Sequence, residues 1–178
     1  MAQTSTIYNL TIDLSDVDRG VYEQFDVRIA RHPSETAEFM LVRILAYCLE
    51  FRDGIALTEG VASADEPAIL VRDLTGQITS WIEVGLPDAS RIHRGSKLAE
   101  RTAVYTHRGR LLLSQLDGSR IHKSENIPIY ALDSDFIDKA SKRIERRTSI
   151  ELSVTEQQMY LAINGENFTS SIQQHRIS

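Results

Sequence analysis

The chain is poor in the residues that build covalent or thiolate-bound frameworks: its 178 residues include one cysteine, four prolines and one tryptophan. A lone Cys48 excludes an intrachain disulfide framework and a thiolate-rich metal site, and it fits a reducing, cytoplasmic interior. No stretch approaches the roughly 20 apolar residues that a membrane helix needs. The opening MAQTSTIYNLTIDLSD has no cationic run ahead of an apolar one, so neither a signal peptide nor a membrane partner is expected. His32, His93 and His107 lack the spacing of zinc ligands, and no Ser–His–Asp arrangement can be assigned. Internal repeats and low-complexity tracts are absent. A net charge of −5 argues against indiscriminate binding to nucleic-acid backbones.

What the chain does hold is enough apolar residue, 42%, to bury one ordinary core, and one domain is the expectation. Its charge is unevenly spread. Residues 1–87 carry 6 Lys/Arg against 14 Asp/Glu, whereas residues 88–123 carry 8 against 3, a balance of +5. That basic block begins just after Glu83, so a carboxylate cluster bordered by cations is one reading, and a solvated helix face is the other.

Periodicity sets out the elements. Tyr8, Leu10, Ile12 and Leu14 alternate with polar residues, as do Phe25, Val27 and Ile29, which predicts an antiparallel hairpin. Pro33 and Ser34 end it and open a helix, with Ser34 as cap, Glu35 in the first turn and Ala37, Met40, Leu41, Ile44, Leu45 and Cys48 on its core stripe. Strands follow near 55–58, 68–72 and 78–86. Asp88 caps a helix carrying Arg91, Arg94 and Lys97, and a strand at 103–106 completes a parallel crossover. Residues 110–116 read as either helix or strand. Residues 127–132 read as a strand and 136–144 as a helix. Residues 150–154 and 159–163 form a second hairpin, and the C-terminus either frays or adds an edge strand through Phe168 and Ile172.

The chemistry concentrates between Asp65 and Lys97. Glu83 sits mid-strand between Ile82 and Val84, on the face that Trp81 shares, where an acid needs a partner, a metal or solvent. Asp65 and Glu66 begin the strand expected to pair with it. Asp65 and Glu83 together suit magnesium, a hard cation that takes carboxylates, waters and phosphate oxygens. Arg91, Arg94 or Lys97 could reach back to hold phosphate. The alternatives are a solvated acidic turn for Asp65 and Glu66, and an ion pair from Glu83 to Arg91 or Arg94.

Three segments, ARHPSET at 30–36, DEP at 65–67 and WIEVGLPD at 81–88 with Arg91-Ile92, resemble in order and spacing the signatures of the bacterial YaeQ family. The resemblance covers essentially the whole chain. It implies an α/β (α+β) fold, a variant of the restriction-endonuclease-like PD-(D/E)XK core at about 34–132. In that fold a mixed β-sheet is flanked by helices, with added hairpins at 4–30 and 147–164. It also implies Asp65 and Glu83 as magnesium ligands with catalytic roles, and Glu35 as an auxiliary acid, to which the neighbouring Glu66 adds a second candidate. Gly85 stands where the superfamily carries a lysine, and Arg94 falls where family members place one on the next helix. The catalytic set is then Asp65, Glu83, Arg94 and Lys97, with Arg91, Arg94 and Lys97 binding substrate.

Two functions fit these residues. One is a magnesium-dependent phosphodiesterase or nuclease acting on DNA or RNA. The other is a non-catalytic module that binds nucleic acid or protein on a nuclease-like scaffold. The oligomeric state is left open.

Overall fold

Alternation becomes strand pairing in the computed structural model, which describes residues 4–59 and 65–177. The chain divides into two compact units, residues 1–41 with 133–172 and residues 42–132 with 173–178.

In the first unit, β1 (Thr6–Asp16) and β2 (Val21–Arg31) form the expected antiparallel hairpin, with Leu10 opposite Val27. The second hairpin joins β8 (Arg147–Thr155) to β9 (Gln158–Ile163) through Glu156 and Gln157, both at positive φ, as a tight hairpin turn requires. The C-terminal segment does not fray. It forms β10 (Glu166–Arg176), paired antiparallel with β9 and ending in the second unit. Local alternation does not reveal the join between the hairpins, where β1 runs parallel to β8 with Ile12 opposite Ile150. The order is β2-β1-β8-β9-β10, a mixed sheet with Leu10, Ile12, Ile150, Leu152 and Leu161 buried on one face. The helix expected at 136–144 is α4 (Ser134–Ser141), which starts earlier because Asp133 accepts from the Phe136 amide.

Helix α1 (Ala37–Leu49), by contrast, starts later than expected. Thr36, not Ser34, caps it, its Oγ1 accepting from the Phe39 amide at 3.0 Å. Ser34 instead bonds the His32 ring, so the turn after Pro33 is closed locally before the helix begins. Glu35 therefore precedes the helix.

The second unit orders its strands β7-β6-β5-β4-β3. Here β3 (Ile55–Leu57), β4 (Ile69–Arg72) and β5 (Ile78–Val84) make an antiparallel meander. From β5, helix α2 (Ala89–Leu98) crosses to β6 (Arg101–Thr106), which pairs parallel with β5 and with β7 (Pro128–Leu132). The ambiguous segment is helix α3 (Gly109–Leu116). Ile92 of α2 and Leu112 and Leu116 of α3 pack with Val104 and Ile129 in one buried cluster, so both helices cover the same face of the sheet. Burying each such side chain contributes roughly 1.5–3 kcal/mol. Leu98, at the end of α2, lies half exposed outside that cluster. The fold is mixed α+β with four α-helices among the described residues, none long and apolar enough to cross a membrane.

Candidate functional site

Strand β5 and helix α2 meet in matched register. Trp81 and Glu83, two apart on the strand, share a face, and Arg91 and Gly95, four apart on the helix, share another. Gly95 lies directly on the indole: a Cβ there would fall 2.3 Å from Trp81 Cδ1 and 2.5 Å from Cγ. Only glycine permits that approach, and it places Arg91, one turn earlier, over Glu83. Asp88 fixes the start of the helix as expected, its Oδ1 accepting from the Arg91 amide at 2.9 Å and from the Ser90 hydroxyl at 2.7 Å. Those bonds hold the Asp88 carboxyl below its ordinary range.

Glu83 is 3% exposed, and both its oxygens are taken. Arg91 Nε donates to Oε2 at 2.9 Å and Nη2 to Oε1 at 3.1 Å, the bidentate fork that suits a carboxylate. The ion pair to Arg91, one of the alternatives read from the sequence, is thus the arrangement found. The same Nη2 donates to the Glu66 backbone carbonyl at 2.7 Å. Glu66 therefore enters the cluster through its main chain. Burial pushes the Glu83 carboxyl above its usual range, and the Arg91 hydrogen bonds and charge oppose this without cancelling it. The buried Trp81 Nε1 has no hydrogen-bond partner among the described residues. Its N–H nevertheless lies near enough to Glu83 to favour the anion.

Asp65 faces solvent. Arg94 Nη1 lies 3.3 Å from its Oδ1, with the two side chains 52% and 88% exposed. Asp65 also adds to the charge that raises Arg91. Arg91 and Arg94 of α2 thus gather Glu83, the Glu66 carbonyl and Asp65 along one helix. Lys97 is exposed and has no ion pair among the described residues. Glu35 belongs to the first unit, where its Oε1 accepts from the His32 amide.

A magnesium ion would need several oxygens free to face it. Arg91 occupies two of the four lone-pair positions on Glu83 and brings a positive charge to the same oxygens. No group of three or more His, Cys, Asp or Glu side chains is gathered for a metal among the described residues. At Gly85, where the resemblance led to the expectation of a lysine, φ is +90° and the amide donates to the Tyr105 carbonyl at 2.9 Å. A lysine there would be strained by the backbone itself.

One feature went unread in the sequence, and a second was read there only as a block of positive charge. Glu50, 3% exposed, is held bidentately by Arg101 at 2.8 and 2.9 Å and accepts from the Tyr105 hydroxyl. Tyr130, opposite Tyr105 in register, stacks on it at 4.7 Å. Burial and the Glu50 charge raise Tyr105 well above its ordinary value, so it stays a donor. The even spacing of Arg101 and Tyr105 on one strand was the available signal. The second is a set of exposed cations within the basic block at 88–123. Lys97 of α2, Arg108 and Arg110 at the start of α3, and Arg120 and Lys123 in the following loop are exposed and without ion pairs among the described residues. That loop is tied to α2 by the His122 amide, which donates to His93 Nδ1 at 3.0 Å.

A family model described as "YaeQ protein" matches residues 1–172. The "Uncharacterized protein YaeQ" of Escherichia coli (strain K12) is 30% identical over 169 residues, 94% of this chain and 93% of that one. Its namesake in Salmonella typhi is 29% identical over 164 residues, 91% of each. The crystal structure of YaeQ protein from Pseudomonas syringae matches with a TM-score of 0.87 at 32% identity, over 97% of both chains. That from Xanthomonas axonopodis pv. citri matches with a TM-score of 0.86 at 24% identity, over 98% of this chain and 100% of that one, which speaks to the fold alone.

Proposed function

The chain belongs to the YaeQ family, and from that premise we propose that it is a nucleic-acid-binding module on a nuclease-like PD-(D/E)XK scaffold, with its carboxylates closed by arginines and no turnover. The scaffold assignment draws on the order helix, antiparallel meander, crossover helix and parallel strand. The observation that carries the functional reading is the bidentate hold of Arg91 on Glu83, in the same unit as the exposed Lys97, Arg108 and Arg110, which have no ion pair among the described residues. In this reading the guanidinium supplies to Glu83 the positive charge an ion would otherwise bring, and the strained position at Gly85 keeps out a lysine. Arg94, Lys97, Arg108 and Arg110 then contact phosphates, each contact releasing condensed counterions and steepening the salt dependence.

A second reading, a magnesium-dependent nuclease, is favoured by one observation: Asp65 and Glu83 are both engaged by the same helix. Fluorescence anisotropy with short DNA and RNA duplexes and single strands, across a salt series, separates the two. The binding module is expected to lose about one unit of salt slope for each cation replaced by glutamine, to ignore Glu83→Gln, and to cleave nothing with magnesium or manganese. Metal-dependent cleavage abolished by Glu83→Gln would hand the site to the second reading. Failure to bind any of these substrates at low salt would remove both.

A further inference from the structure

The polar face of the first unit's sheet holds a cleft of about 740 Å³, within the range of small-molecule sites. Strand register places its charges in rows. Asn9 of β1 lies between Arg28 of β2 and Arg147 of β8, and two residues on, Thr11 lies between Asp26 and Ser149. All six side chains are exposed on the face opposite the buried core. Neither arginine has an ion pair among the described residues, whereas Arg19, Arg91, Arg94, Arg101 and Arg143 do. At the rim, Asn164 spends its Oδ1 on the Ser149 amide at 2.9 Å, which leaves its amide N–H groups as donors.

We propose that this cleft binds a small phosphate monoester bearing hydroxyl groups, with the phosphate between Arg28 and Arg147 and the hydroxyls over Thr11, Ser149 and Asp26. Two guanidiniums astride an amide match a dianion. The row pattern decides against a polynucleotide. Asp26 shares the second row, and the third brings Asp13 and Glu151 side by side. Each row advances about 6.6 Å along the strand. A chain of phosphates running along the strands would therefore meet carboxylates after its first, whereas a compact molecule with one anionic end and donors at the other meets complementary groups throughout.

The test is titration of the full-length, isotopically labelled protein with ribose 5-phosphate, followed by amide NMR, with ribose and a short single-stranded RNA as the other arms. Saturable shifts clustered at Asn9, Thr11, Arg147, Ser149 and Asn164 are expected for the phosphate ester in the millimolar range or tighter. Ribose is expected to bind at least roughly tenfold more weakly, and Arg28→Met and Arg147→Met each to weaken the ester by roughly five- to tenfold. Both arginines are exposed, so the variants should keep the wild-type thermal midpoint, which is measured alongside. Shifts elsewhere, equal binding of ribose, indifference to both substitutions, or tighter binding of the RNA at these residues would each overturn the proposal. It stands apart from the reading of the Glu83 cluster and survives that reading's failure.

Discussion

Arg91 closes on both oxygens of Glu83 from a helix position whose own backbone amide is pinned by Asp88. The cap, the helix and the ion pair are therefore one device. With Glu83 buried and Arg91 side chain 29% exposed, removing the arginine strands a carboxylate that solvent reaches poorly. Arg91→Met is expected to cost about 2–3 kcal/mol, at or below the lower end for breaking a fully buried pair. Arg91→Lys should recover only part of this, since an ammonium cannot fork across two oxygens. Urea unfolding at neutral pH checks both, and a full recovery by lysine would sink the bidentate account.

The raised Glu83 carboxyl makes stability depend on pH in a direction opposite to a typical surface acid. Because its folded value lies above its unfolded one, the folded state binds the proton more readily. Its contribution is complete below the unfolded value near 4.5 and is lost as pH rises through the folded value. Unfolding curves of the parent and of Glu83→Gln share every other carboxylate, so their difference isolates this group. As pH falls from neutral, the parent is expected to gain on the variant. A parent that instead loses ground would mean that the attraction of Arg91 outweighs burial.

Much of this arrangement is written locally. Period-two alternation fixes the hairpins, and Asp88 announces α2, because side-chain burial and capping are decided within a few residues. The face of Glu83 follows from its neighbours alone. What alternation cannot carry is the choice of partner. The parallel pairing of β1 with β8 joins strands about 140 residues apart, and nothing near either one encodes it. The Glu50 cluster fails for the same reason, since Glu50 Oε1 meets Arg101 across 51 positions. At the candidate site, the residues Asp65, Glu66, Glu83, Arg91 and Arg94 could be singled out beforehand, and the ion pair from Glu83 to Arg91 or Arg94 was one of the alternatives. Which cation would win Glu83 was not legible, because that turned on the close approach of Gly95 to Trp81.

Gly85 explains why a lysine is not simply one substitution away. Its φ of +90° lies where an L side chain is strained, at a cost of order 1–3 kcal/mol. Gly85→Lys is therefore expected to lower stability by about that amount, without creating metal-dependent cleavage. Gly85→Ala should show a similar loss, which separates backbone strain from the added charge. If Gly85→Lys matches the parent in thermal unfolding, the backbone is not what excludes it.

Gly95 is the contact on which the geometry of the cluster turns. Adding one methyl places it 2.3–2.7 Å from three atoms of the Trp81 ring, so the helix or the indole must move. The ring is 2% exposed and wedged on the sheet, whereas α2 is a short helix with solvent behind it. Displacement of α2 is the cheaper response, and it draws Arg91 away from Glu83. Gly95→Ala is thus expected to cost about 1–3 kcal/mol from overpacking, and more if the ion pair opens. Because Trp81 is the chain's only tryptophan, its fluorescence reports the change directly. Combining Gly95→Ala with Trp81→Leu removes the clash, and the pair is expected to be less destabilised than the sum of the two single changes. Strict additivity would show that the methyl does not meet the ring.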